Sequence, residues 1–152
     1  TLTIWEGKGD KIKKVFAQEY PDSIGLWYSA MTQRVGLKPN EDEYILMGMA
    51  AYGDYKKHYH YMKENMFQLG PHDHWQFPNV RFKDNLHRGC KWYRPGYNKW
   101  TDKLNIAAAT QSIYEEIFSG LVEYCSRKYK SKNLVVMGGC ALNCKANSST
   151  TT

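Results

Sequence analysis

The sequence predicts an α/β fold, and three features carry that prediction. Two short strand-like runs at the start are joined by a glycine-bearing turn, and apolar residues recur at helical spacing in three later stretches. Near the end, the apolar run at residues 134 to 137 stops at Gly138-Gly139 before another helix signal. Strand and helix patterns in mixed order imply helices layered on sheet.

Each element has a local cause. In "TLTIWEGKGDKIKKVF" the run Glu6-Gly7-Lys8-Gly9-Asp10 can reach positive φ, so a β-hairpin is expected. In "YPDSIGLWYSAMTQRVGLKPN", Ile24, Trp27 or Tyr28, Met31 and Val35 share one helical face behind Asp22 or Ser23 as cap, and Gly36 stops the helix. A second helix starts at Asn40, with Glu41, Asp42 and Glu43 favouring the positive end of its dipole, and Gly53 closes it. Residues 54 to 103 are rich in Tyr, Trp, His and Lys and are broken by Pro71, Pro78 and Pro95. They read as an irregular aromatic-rich insertion with one short helix between residues 55 and 68. The stretch "LNIAAATQSIYEEIFSGLVEYCSRKYK" is a helix whose stripe of Ile106, Ala109, Ile113, Ile117, Leu121 and Cys125 should pack against a sheet. Arg127, Lys128 and Lys130 suit its C-terminus. Residues 134 to 137, "LVVM", then form a short buried strand, and another helix begins at Ala141.

Composition narrows the class of function. A chain of 152 residues can bury roughly 68–70% of its unfolded surface, enough for one domain. No apolar run approaches the ~18 residues of a membrane span, and residues 1 to 14 lack the order of a secretory signal. Cys90, Cys125, Cys140 and Cys144 form no C-x-x-C and no paired framework, so a reducing, cytoplasmic setting without membrane contact is expected. The net charge of +6 sits in one half: residues 1 to 75 carry 9 Lys/Arg and 10 Asp/Glu, residues 76 to 152 carry 12 and 5. In "RFKDNLHRGCKWYRPGYNKW" six cations interleave with five aromatic rings. That pattern suits single-stranded nucleic acid, an anionic nucleotide, or a solvated loop with aromatics folded beneath it.

At the carboxyl end of a strand, a phosphate or sugar can approach the following helix only where side chains leave room. Gly138 and Gly139 remove their Cβ atoms from that approach, and Asn143, about one turn later, supplies an amide that both donates and accepts. A tight packing turn uses the same residue types, and spacing alone leaves both readings open.

"NLVVMGGCALNCKAN", residues 133 to 147, resembles the glycine-glycine-x-alanine-x-asparagine segment of the O-carbamoyltransferases that modify antibiotics and nodulation factors. "SIGLWYSAMTQRVGLKPNEDEYILMGMAAYG", residues 23 to 53, resembles a second segment of that family in the same order, and "TIWEGKGDKIK" resembles the stretch before it. The resemblance implies an incomplete actin-like ATPase (RNase H-like) domain over residues 1 to 147, related to the enzyme that makes threonylcarbamoyladenosine on tRNA, with a polar tail at 148 to 152. It further implies transfer of a carbamoyl group from carbamoyl-adenylate, made from carbamoyl phosphate and ATP, to the hydroxyl of a small-molecule acceptor. The family's divalent metal, of iron type, is held by ligands upstream of the hairpin and downstream of the Asn143 helix, and its adenylate-forming domain is separate. The chain therefore reads as the middle portion of a longer enzyme, inactive alone and completed by the remainder of that enzyme.

Carried over position by position, Gly138, Gly139 and Asn143 match the family segment that lies against the nucleotide. Asp22 and Gly36 bound a helix whose counterpart in the tRNA-modifying relatives touches ribose and base, and Glu43 falls in the family-like "EDEYILMG". Each of these three also has a structural reading: Asp22 as a helix cap, Gly36 as a helix stop, and Glu43 returning a hydrogen bond to Asn40 three residues before it. His58 with His60, and His72 with His74, form H-x-H pairs, but the family's ligands lie elsewhere and loop histidines are expected. No metal ligand and no catalytic base is assigned within the chain. Cys140 and Cys144, one helical turn apart, are expected to pack. A tRNA threonylcarbamoyladenosine-type transferase and a non-catalytic basic nucleic-acid or protein interaction module are the alternatives. "GLWYSAMT" and "GMAAYG" favour the carbamoyltransferase branch over both, and nucleic acid is not expected as a partner.

Overall fold

The computed structural model describes residues 1–150. Strands β1 (Leu2–Lys8) and β2 (Lys11–Gln18) pair antiparallel as the predicted hairpin, with Gly9 at φ +62° in the turn. The register passes from Ile4 opposite Phe16 to Trp5 opposite Lys14, so Val15 is the extra residue of a bulge. The Gln18 side chain ties the hairpin base to the body: its nitrogen donates to the Val80 carbonyl, and its oxygen accepts from the Val80 N–H at 3.2 Å.

Helix α1 (Ile24–Arg34) follows, and of the two expected caps it is Ser23 that accepts from the Leu26 N–H, at 3.4 Å. Gly36, at φ +92°, ends it in a Schellman motif: the Gly36 N–H donates to the Gln33 carbonyl at 3.0 Å and the Leu37 N–H to the Thr32 carbonyl at 3.1 Å. The expected face is buried, Trp27 and Met31 fully, but Ala30, Thr32 and Arg34 are buried as well. That places α1 at the centre of the molecule. Helix α2 (Glu43–Met49) starts three residues later than predicted, because Asn40 takes φ +65° and the Asp42 carboxylate accepts from the Lys38 N–H at 2.8 Å, folding the preceding turn. A 3₁₀ turn (Ala50–Tyr52) then reaches Gly53, where an added Cβ would run into the Leu104 carbonyl. Glycine there lets two backbones touch.

Residues 54 to 103 hold α3 (Tyr59–Met66) and the two-residue pairing of β3 (Phe67–Gln68) with β4 (Arg81–Phe82), among 3₁₀ turns. The stretch is irregular as expected, yet Met62, Met66, Phe67, Phe82, Leu86 and Tyr93 all join the core. Within its basic part, Phe82 and Tyr93 are buried while Trp92, Tyr97 and Trp100 are exposed. The buried Arg34 guanidinium gathers this loop through the carbonyls of Tyr93 (2.5 Å), Arg94 (2.6 Å) and Tyr97 (2.9 Å). Arg94 lies 3.9 Å from the Tyr61 ring centre. One expectation needs correcting: His58 is no loop histidine but a core residue, its Nδ1 3.1 Å from the Tyr93 hydroxyl. His60, His72 and His74 are exposed.

Helix α4 (Trp100–Tyr129) buries Ile106, Ala109, Ile113 and Ile117 completely. It packs on α1, α2, α3 and the 3₁₀ turns rather than on a sheet, since among the described residues both sheets have only two strands. Residues 134 to 137 likewise depart from the buried strand predicted: they pair with no strand, and Leu134, Val135 and Met137 are 54%, 81% and 84% exposed. An apolar β-branched run becomes a strand only beside a ladder partner, and the described residues offer it none. A 3₁₀ turn (Gly139–Leu142) and α5 (Cys144–Ser149) follow. Ser148 and Ser149 of the expected polar tail belong to α5, and residues 151 and 152 lie outside the described residues. No helix among the described residues is long and apolar enough to cross a membrane.

Candidate functional site

Gln111 interrupts the buried face of α4 with an amide only 2% exposed. A buried amide must fill two donor and two acceptor positions. Its Nε2 donates to Asn143 Oδ1 at 3.0 Å and to Glu115 Oε1 at 2.8 Å; its Oε1 accepts from Asn143 Nδ2 at 3.0 Å and from the Tyr28 hydroxyl at 2.6 Å. All four are used. Asn143 Oδ1 also accepts from the Ala146 N–H at 3.1 Å, so the same side chain caps α5.

Beside Tyr28, the Ser29 hydroxyl donates to Glu43 Oε1 at 2.6 Å, and Glu43 also accepts from the Asn40 N–H at 2.6 Å. Burial first, then the Glu115 and Glu43 carboxylates, holds the Tyr28 hydroxyl above the ordinary phenol range. It therefore remains a donor at working pH. The Tyr114 hydroxyl donates to the Cys140 carbonyl at 3.2 Å, and a Cβ added to Gly25 would lie 3.1 Å from Cys140 Sγ. The glycine turn is thus seated on the first turns of α1. Burial pushes the Cys140 thiol up, the state of a packed cysteine and not of an activated one.

Gly138 takes φ +92°, which explains glycine at that position; a Cβ added at Gly138 or Gly139 would meet nothing within 4 Å. Crowding by the described residues gives no reason for Gly139. Asn143 is tied to Tyr28 of α1 through Gln111, Glu43 bonds Ser29 of the same helix, and Cys140, next to Gly139, packs against Gly25. Asp22 sits just before that helix, its carboxylate accepting from the Phe82 N–H at 2.9 Å. Gly36 lies at the far end, roughly 12 Å along the axis from Tyr28 at 1.5 Å per residue. Sequence reasoning misses Tyr28 as a hydroxyl, Ser29, Gln111 and Glu115; the available signal is a glutamine inside an apolar helical stripe, which marks a buried polar network. Open clefts of about 350 and 470 Å³ lie elsewhere on α4, one beside Phe77 and Gly120, the other between Tyr59 and Ser112.

A helical body on which a glycine turn is docked through a buried amide pair defines the class to which comparison then gives a family. The model of the carbamoyltransferase N-terminus matches residues 1–152, and the chain belongs to that family. It is similar to nodulation protein NolNO of Sinorhizobium fredii, 28% identical over 141 residues that cover 93% of this chain and 20% of that protein. It is also similar to the uncharacterized protein sll1178 of Synechocystis sp., 29% identical over 97% of this chain and 26% of that protein. A third relative is the uncharacterized protein MJ1051 of Methanocaldococcus jannaschii, 26% identical over 84% of this chain and 25% of that protein. The chain spans between a fifth and about a quarter of the length of these relatives.

Proposed function

We propose that this chain supplies one wall of the adenylate site of a carbamoyltransferase, within an actin-like ATPase domain whose remaining walls come from the rest of the enzyme. The observation that carries the reading is that Asn143, four residues after Gly139, is tied through Gln111 to Tyr28 of α1, next in sequence to the Ser29 that bonds Glu43, while a Cβ at Gly139 would meet nothing within 4 Å. Membership of the family over the whole chain supports it.

In this reading water releases phosphate from carbamoyl phosphate to give carbamate, a carbamate oxygen attacks the α-phosphorus of ATP and pyrophosphate leaves, and the hydroxyl oxygen of a small-molecule acceptor then attacks the carbamoyl carbon of the resulting carbamoyl-adenylate. A new C–O bond forms, the bond from that carbon to the phosphate oxygen breaks, AMP leaves with the electron pair, and the hydroxyl proton is released. Gly138 and Gly139 leave room for the adenylate, and Asn143 fixes its position, which lowers the entropic part of the barrier. The iron-type metal implied by the resemblance is not accommodated by this chain alone: among the described residues no three His, Cys, Asp or Glu side chains gather to hold an ion. The roles of its residues are binding and orientation.

Incubating the full-length protein with labelled carbamoyl phosphate, ATP and a panel of polyhydroxyl acceptors tests the reaction. Mass spectrometry should find carbamoyl-AMP, and AMP should appear in step with the carbamoylated acceptor. Carbamoyl transfer that proceeds without ATP would refute it.

A further inference from the structure

Resting on the adenylate reading above, we infer that Asn143 meets its ligand as a hydrogen-bond donor only, aimed at a phosphoryl oxygen, and that Gln111 is the positioning residue that makes it so. An amide oxygen carries two lone pairs. Both of Asn143's are filled from within, one by the Ala146 backbone N–H at 3.1 Å and one by Gln111 Nε2 at 3.0 Å. A backbone N–H cannot act as an acceptor, so the Ala146 contact fixes which end of the Asn143 amide is oxygen.

The nitrogen end has two hydrogens. One goes to Gln111 Oε1 at 3.0 Å. The other faces the Tyr28 hydroxyl oxygen, a contact that a ligand oxygen would have to replace, and an anionic oxygen is the stronger acceptor. Gln111 cannot turn over to release this arrangement, because its oxygen would then face the Glu115 carboxylate, to which its nitrogen now donates at 2.8 Å. A ligand amino or ammonium group finds no free lone pair on Asn143, whereas the oxygens of an acyl-phosphate match the hydrogen on offer.

Calorimetric titration of the full-length protein with AMP and with adenosine tests this, since only AMP carries the phosphoryl oxygens. Asn143→Ser keeps an oxygen to cap α5 and removes the N–H without adding charge, while Gln111→Met keeps the volume and removes the lock. AMP affinity should fall about tenfold in Asn143→Ser and about threefold in Gln111→Met, with adenosine affinity within about twofold of the parent in both. Asn143→Thr, which likewise keeps a capping oxygen and adds no charge, replaces Asn143→Ser should that variant fail to fold and should show the same selective loss. Equal losses for AMP and adenosine, or unchanged AMP affinity, would overturn this inference and leave the adenylate reading standing. A parent protein that binds neither compound would overturn both.

Discussion

Asn143 does two jobs that pull in different directions when it is mutated. As a ligand contact alone it could be truncated without loss of stability, but the α5 cap and the Gln111 pair make it structural as well. Asn143→Ala should therefore cost about 1 kcal/mol for the cap and roughly 1–3 kcal/mol more for the unpaired Gln111 amide, read from urea unfolding. Asn143→Ser should recover the cap share. His58 gives a pH signature: burial first, then Arg94 and Arg34, holds its imidazole down at about 4 against an ordinary 6.5, with Asp102 opposing. The unfolded chain then takes up the proton first as pH falls, so stability present above pH 6.5 is lost between about 6.5 and 4. Replacing His58 with Gln, which can still bond the Tyr93 hydroxyl, should remove about 2 kcal/mol of the stability difference between about pH 7 and 4.5. An unchanged pH dependence in the variant would show that the imidazole is not held neutral.

Among the elements, those whose cause is local were readable from the sequence and those whose cause is a neighbour were not. The hairpin, the Gly36 stop and the stripe of α4 follow from turn chemistry and period, and they stand where expected. The partner of α4 was misread because an apolar stripe says that something covers it, not what: helices and 3₁₀ turns do, no sheet among the described residues. Residues 134 to 137 were misread for the same reason, since β-branched residues make a strand only with a ladder beside them. Denaturant unfolding of the 152-residue chain separates the two cases. Ile113→Ala, at a completely buried site, should cost about 2–5 kcal/mol, whereas Val135→Thr, at a site 81% exposed, should stay within about 0.5 kcal/mol. A large loss at Val135 would mean that the run is packed after all. In the site, Asn143 and the glycines were legible as a motif, but Gln111 was not, because its role depends on a contact 32 residues away in sequence.

On the scale of the whole molecule, α1 forms the centre, α4 packs on it, and the glycine turn is seated on α1 and α4 through the Gln111–Asn143 amide pair, the Tyr114–Cys140 hydrogen bond and the Cys140 contact with Gly25. Family membership spans the entire chain, while the matched segments cover only 20–26% of the relatives' length, and the wall proposed here would have its counterparts elsewhere in such proteins. Gly139 separates a ligand wall from a packing turn most cleanly. A side chain there meets no described atom within 4 Å, so the fold has room for one. Calorimetric titration of AMP into the full-length protein, comparing the parent with Gly139→Val, should show affinity reduced at least about tenfold with the melting temperature unchanged, because the β-branched side chain occupies space kept for the adenylate. Equal affinity in parent and variant would contradict the assignment of this junction as a nucleotide site.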